Sequence, residues 1–187
     1  PGSNATGWAV QSFIHEMAEA AGRDHVEFLI ELMGDARWFE PGNQGSLNTG
    51  RAVDVIRTVA EQSGWGKSLP AGRGLGIAFH FSHRGHVAEA VELSINENKQ
   101  ITIHDVTVAI DIGPIVNMSG ALKQVEGAVI DGLSSIMDLE ISMQNGRVQQ
   151  QNFHQYNLLR MRDMPPNINT HFIQSEYDPT GLGEPAL

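Results

Sequence analysis

An α+β fold is predicted by two observations. Apolar residues recur with a helical period over the first third of the chain and alternate from Gly74 to Ile112. The helical period then returns at Ser119. Helices followed by a run of strands, rather than strands and helices in turn, point to helices packed on a mostly antiparallel sheet.

The elements follow in order. From Trp8 a stripe of Phe13, Ile14, Met17, Ala18 and Ala21 predicts a first helix, stopped by Gly22. Asp24, with Glu27 three residues on, opens a second like a capping box; Val26, Leu29, Ile30 and Met33 form its apolar face. Residues 35–47 read as a loop. Asn48 or Thr49 caps a third helix, with Val53, Ile56, Val59 and Ala60 inward. Trp65 to Arg73 is connector-like and divides the chain into a helical segment, 1–66, and an α+β portion, 67–187. Leu75 to Phe79, Val87 to Ile95 and Ile101 to Ile112 alternate as an antiparallel meander over residues 74–112. Residues 119–138 form a long helix with Leu122, Val125, Val129, Ile130, Leu133 and Met137 on one face. A hairpin turns at Asn145-Gly146, and a last strand runs near 170–175.

Composition narrows the function. With 41% hydrophobic and 18% charged residues the chain is globular. Its net charge of −10 opposes a phosphate backbone, which excludes nucleic acid as the expected partner. It has no cysteine, so thiolate metal ligation and iron–sulfur binding within the chain are excluded. No apolar run approaches the roughly 20 residues of a membrane span. Absence of an initiator Met, and an end at Pro185-Ala186-Leu187 just after a turn, suggest a piece incomplete at both ends.

Several motifs bear on chemistry. Gly72-Arg73-Gly74-Leu75-Gly76 precedes a strand, so it is a strand entry and not a dinucleotide loop. His80, His83 and His86 lie on a strand and its turn, where such spacing puts successive side chains on opposite faces; no metal site is expected there. In Ile110-Asp111-Ile112-Gly113 with Asn117, the Asp and Asn can cap the following helix. Gly127 and Gly132 sit inside a helix, each at a cost of about 1 kcal/mol. Tight helix packing and close approach of a ligand explain them equally well, and Gln124 and Glu126 add polar groups beside them. The Asn152 to Met161 segment, dense in aromatics and amides, reads as a structured loop over a pocket or, at least as well, as a packed surface loop. In Gly181-Leu182-Gly183-Glu184-Pro185 the glycines allow close backbone approach, and Pro185 biases Glu184 to an extended conformation, suited to a general base.

In order and spacing, Ile110-Asp111-Ile112-Gly113, Gln124-Val125-Glu126-Gly127 with Gly132-Leu133, Asn152 to Met161 and Gly181 to Pro185 resemble the xanthine oxidase/aldehyde oxidoreductase family of molybdenum hydroxylases. The particular likeness is to the large (beta) subunit of isoquinoline 1-oxidoreductase-type enzymes. Pro1 to Asn4, Ala20 to Asp24 and Ala60 to Lys67 extend it over essentially the whole chain. Met118 and Asn157 depart from it, standing where that family has Pro.

The resemblance implies a C-terminal portion of a molybdopterin-binding domain, from an enzyme that hydroxylates aldehydes or N-heteroaromatics with oxygen derived from water. It implies a molybdenum–molybdopterin cofactor, in the cytosine dinucleotide form, and an iron–sulfur small subunit beside the rest of the large subunit. It makes Glu184 the catalytic base and puts Gln124, Gly127 and Gly183 at the cofactor. Alone, the chain is expected to bind no cofactor and to be inactive, with nothing behind Glu184 to hold its loop. Two other readings stand: an assembly or binding module with the same fold, and an unrelated histidine metal protein.

Overall fold

Side-chain caps define the helices of the first third. The computed structural model describes residues 2–137 and 139–187; Pro1 and Asp138, the expected end of the long helix, lie outside them. Helix α1 spans Gly2–Ala20, α2 His25–Met33 and α3 Thr49–Ser63. Asp24 accepts a hydrogen bond from the Glu27 amide at 3.0 Å, and Asn48, rather than Thr49, accepts one from the Arg51 amide at 3.1 Å. The α1 stripe is only partly buried. Ala18 and Ile14 face the core, but Trp8, Phe13 and Met17 are exposed, because α1 leans mainly on α2 and β1 at the edge of the sheet.

Strands β1 (Arg73–Ser82), β2 (Gly85–Ile95) and β3 (Ile101–Asp111) form the expected antiparallel meander. The last strand, β6 (Ile168–Phe172), begins earlier than expected and pairs with β3 in parallel, giving the order β1-β2-β3-β6. A parallel neighbour requires a crossover, which α4 (Met118–Met137) and the segment after it supply. Within that segment β4 (Met143–Gln144) and β5 (Arg147–Val148) make a two-residue-strand hairpin at Asn145-Gly146, shorter than expected.

The sheet separates two apolar layers. On one face Ala88, Ala90 and Ala109 pack beneath Val55, Ile56 and Val59 of α3 and Leu29 of α2. On the other, Val87, Val106, Val108 and Ile110 meet Val125, Ala128 and Val129 of α4. Fully burying one such side chain is worth about 1.5–3 kcal/mol. Small residues on β2 and β3 let α3 come close to the sheet.

Glu89 interrupts the α4-side layer. Its Oε1 is buried without a partner, and burial pushes its carboxyl from 4.5 up to about 8. The folded chain therefore holds this proton more tightly than the unfolded one. The corresponding stability is fully present below pH 4.5 and is lost as pH rises through about 8. Urea midpoints measured across this window are expected to fall more steeply for the natural chain than for Glu89→Gln. Parallel curves would contradict this.

Candidate functional site

The site forms where three segments meet: the β1–β2 turn, the first half of α4, and residues 181–187. Glu184 opens a 3₁₀ turn, Glu184–Ala186, and the Leu187 amide donates to its carbonyl at 3.2 Å. The extended conformation expected from Pro185 is thus not adopted. Early in a 3₁₀ turn the missing proline N–H costs nothing, and the turn gains a bond that an extended chain would lack. Nor is the turn unsupported, as was expected. Pro185 and Ala186 are buried, and Ala186 packs into the α4-side core. The Thr180 amide donates to Ile112 O at 3.0 Å and the Gly181 amide to His83 O at 3.1 Å. A Cβ on Gly181 would lie 2.7 Å from His83 Cβ, so glycine is required for this contact.

The Glu184 carboxylate Oε2 lies 2.7 Å from Nε2 of His83, whose Nδ1 is 2.8 Å from Ser82 Oγ. Glu184 is 65% and His83 54% exposed, so the pair adds at most about 1 kcal/mol to stability; its effect is to aim the carboxylate. A Cβ on Gly183 would sit 2.7 Å from Gln124 Oε1, so this glycine admits the Gln124 amide. One turn along α4, a Cβ on Gly127 would meet nothing within 4 Å. Its missing side chain leaves open cleft rather than a packing contact. Gly132 is the opposite case, with Leu187 carbonyl carbon 3.3 Å from the Cβ position. Gln124, Gly127, Gly183 and Glu184 together line one cleft of about 330 Å³, with Lys123 and Asp131. Lys123 is paired to Glu126 at 2.6 Å. Residues 152–161 line neither this cleft nor the larger groove beside α1; Leu159 is tied to the far half of α4 through Ser134 Oγ at 3.0 Å.

The three histidines go to different surroundings. His80 faces the α4 side, under Gly7 of α1. His86 is fully buried on the opposite face against Phe79 and Phe81, and its Nε2 accepts the Asn48 amide at 3.0 Å. Burial and then the Arg51 charge push His86 down to about 3, which keeps it neutral. Among the described residues no group of three His, Asp, Glu or Cys side chains could hold a metal ion.

His83 and Arg84 are the two loop residues of the β1–β2 hairpin, at φ of 51° and 67°. Positive φ at both positions is the type I′ geometry that Asn-Gly adopts readily and His-Arg does not. The double substitution His83→Asn/Arg84→Gly is expected to stabilise the chain by about 1 kcal/mol, read as a higher urea midpoint. An unchanged or lower midpoint would remove the case for strain here.

Sequence reading missed a buried ion pair. Arg51 and Asp111, 3% and 2% exposed, form a bidentate pair, Nε to Oδ2 at 2.7 Å and NH2 to Oδ1 at 2.8 Å. Oδ1 also accepts from Ser175 Oγ at 2.6 Å and the Gly113 amide at 3.1 Å. The Tyr177 ring lies 4.5 Å from the guanidinium carbon. Asp111 is therefore not a helix cap; Asn117 alone caps α4, accepting from the Gly120 amide at 3.0 Å. Burial opposes ionisation of Asp111, but Arg51, Ser175 and Gly113 outweigh it and hold the carboxyl below the ordinary range. The available signal was Arg51 one turn ahead of Val55, inside the buried α3 stripe.

The chain is similar to known proteins. A family model described as molybdopterin cofactor-binding domain matches residues 6–165. The chain belongs to the molybdopterin cofactor-binding domain family. Gly183 and Glu184 lie beyond the residues matched by the family model; alignments with curated relatives cover 96% of the chain. It is 30% identical to the beta subunit of isoquinoline 1-oxidoreductase from Brevundimonas diminuta, over 22% of that protein. It is 29% identical to a membrane-bound aldehyde dehydrogenase (pyrroloquinoline-quinone) from Gluconacetobacter polyoxogenes, over 24% of that protein. The chain thus spans less than a quarter of the length of these relatives. Among solved structures, it superposes on the aldehyde oxidoreductase of Desulfovibrio gigas with TM-score 0.72 at 9% identity, over 99% of this chain and 37% of that one. Quinoline 2-oxidoreductase from Pseudomonas putida 86 matches with TM-score 0.51 at 16% identity, over 55% of this chain and 14% of that one. At these identities the structural likeness speaks for the fold. Among the described residues no helix is long and apolar enough to cross a membrane.

Proposed function

We propose that this molybdopterin-binding domain is a portion of the large subunit of a molybdenum hydroxylase acting on an aldehyde or an N-heteroaromatic ring, with Glu184 as general base. The observation that carries the reading is convergence: Gln124, Gly127, Gly183 and Glu184, from two segments some 60 residues apart, line one cleft. Net hydroxylation joins a substrate C–H and one water to give C–OH, two protons and two electrons. When bound, the molybdenum pterin, in its cytosine dinucleotide form, accepts the electrons and activates the water-derived oxygen. An iron–sulfur small subunit then carries them away.

The residues present fit one side of such a group. Gly127 leaves open space where a side chain would stand, and Gly183 lets the Gln124 amide reach the cleft floor. The Gln124 amide would hold a polar edge of the cofactor. Glu184 takes the proton released as the new C–O bond forms, and His83 Nε2 holds its carboxylate at 2.7 Å. A cleft of about 330 Å³ suits part of a pterin dinucleotide, so the remaining walls come from the rest of the subunit.

The purified 187-residue chain is therefore expected to hold no stoichiometric molybdenum and to reduce no dye with aldehyde or isoquinoline, whereas the complete subunit with its iron–sulfur partner does both. Molybdenum analysis and dye reduction on the two preparations test this. A complete enzyme without molybdenum would overturn it. The name of the Gluconacetobacter relative favours a second reading, a quinone in place of the pterin; that reading requires extractable pyrroloquinoline quinone in the complete enzyme.

A further inference from the structure

The α4 side of the sheet is only half covered. Helix α4 packs on β3 and β6 through Val125, Ala128 and Val129. On the β1–β2 half, the same face carries Gly74 opposite Leu93, Gly76 opposite Val91, Ala78 opposite Glu89 and His80 opposite Val87. A Cβ on Gly74 or Gly76 would meet nothing within 4 Å. With α1 along one side and α4 along the other, this strip becomes an apolar groove of about 1080 Å³. Trp8 and Ile136 line it while remaining 70% and 76% exposed. Apolar surface of this extent marks an interaction site rather than ordinary protein surface.

One carboxyl stands on the groove floor. Glu89 is flanked by Ala78 on β1 and Val108 on β3, and its Oε1 has no partner. Burial alone pushes the acid up to about 8, the behaviour of a carboxyl lacking its cation. Among the described residues no Lys or Arg lines the groove; the other titratable side chains there are His15, His25 and His80. A second copy of the chain laid face to face would bring histidines but no Lys or Arg from this surface, and each copy carries a net charge of −10. The glycines and alanine of β1 leave room for another backbone to lie directly on the sheet. The curated relatives are more than four times the length the chain covers, so most of such a subunit is polypeptide beyond these residues.

We propose that the groove is an intramolecular docking site for an apolar segment from the remainder of the subunit, bearing one Lys or Arg whose cation reaches the Glu89 carboxylate. That cation meets the one acid of the floor, and its apolar neighbours cover Val91, Leu93 and Leu133. This rests on the proposed reading of the chain as a portion of a large subunit and on the groove itself, not on the role of Glu184.

The test uses the complete subunit with a benzophenone amino acid in place of Ile136. Irradiation and peptide mapping are expected to give an intrachain cross-link to an apolar peptide containing a Lys or Arg. Glu89→Lys should cut the cross-link yield about tenfold or more, since it sets two cations together in a buried site. Reversing the identified basic residue to Glu in that background should restore the yield. Glu89→Gln, nearly isosteric, should fold and give a smaller loss. A cross-link only to a second copy, or to a peptide without a basic residue, would overturn the proposal. So would an unchanged yield in Glu89→Lys, or displacement of the cross-link by a small hydrophobic ligand such as anilinonaphthalene sulfonate without loss of the subunit's fold.

Discussion

Arg51→Met is expected to destabilise the 187-residue chain by about 3–5 kcal/mol, the cost of leaving a buried charge without its partner. Domains have only about 5–15 kcal/mol in total, so this approaches the threshold of unfolding. Asp111 would keep its bonds from Ser175 and the Gly113 amide but lose the bidentate guanidinium. At 2% exposure water cannot replace it. The thermal midpoint should fall by at least about 6 °C, and the urea midpoint in proportion. Arg51→Met/Asp111→Asn should recover half or more of the loss, because the amide is neutral and its oxygen still accepts from Ser175 and Gly113. A loss under about 1 kcal/mol for Arg51→Met would show the pair to be incidental.

The pair also bears on the site. Ser175 and Tyr177 tie the segment after β6 to Asp111 and Arg51, and that segment leads directly to Gly181 and Glu184. Asp111 has its carboxyl lowered from the ordinary 3.8. Its stabilisation is therefore fully present above pH 3.8 and is lost as pH falls through the lowered value. Acid should loosen the Glu184 segment together with the fold.

Local signals in the sequence were good guides where the structure is local. Asp24 and Asn48 cap the helices they precede, alternation marks β1 to β3, and Asn145-Gly146 turns a hairpin. The start of α1 at Gly2 was missed because residues 2–7 carry no apolar stripe. The parallel seat of β6 was missed because strand pairing at a distance of 60 residues leaves no local trace. The same holds for Arg51 and Asp111, also 60 residues apart. At the site, the motif residues could be named from the sequence, but not the contacts between them. That Gly183 lies against Gln124 and Glu184 against His83 follows from how α4, the β1–β2 turn and the terminal 3₁₀ turn pack. The local preference of a residue before proline for extended conformations yields at Glu184 to the burial of Pro185 and Ala186, which favours the turn.

Glu184→Gln in the complete enzyme is expected to lower turnover by about 10²–10⁴-fold, the usual contribution of a general base. The substitution is nearly isosteric. Glu184 is exposed and its ion pair with His83 is worth little to stability, so folding should change by less than about 1 kcal/mol. The amide can still donate and accept hydrogen bonds, so substrate affinity and molybdenum content should stay close to those of the unmodified enzyme. What it lacks is a site for the proton released when the C–O bond forms. The loss should therefore fall on kcat rather than on KM. The direct measurement is the kcat of the Glu184→Gln enzyme, assayed by dye reduction with the preferred aldehyde or N-heterocycle at verified molybdenum occupancy. A fall of at least a hundredfold with occupancy unchanged is the expected result; a rate within about threefold of the unmodified enzyme would contradict Glu184 as the general base.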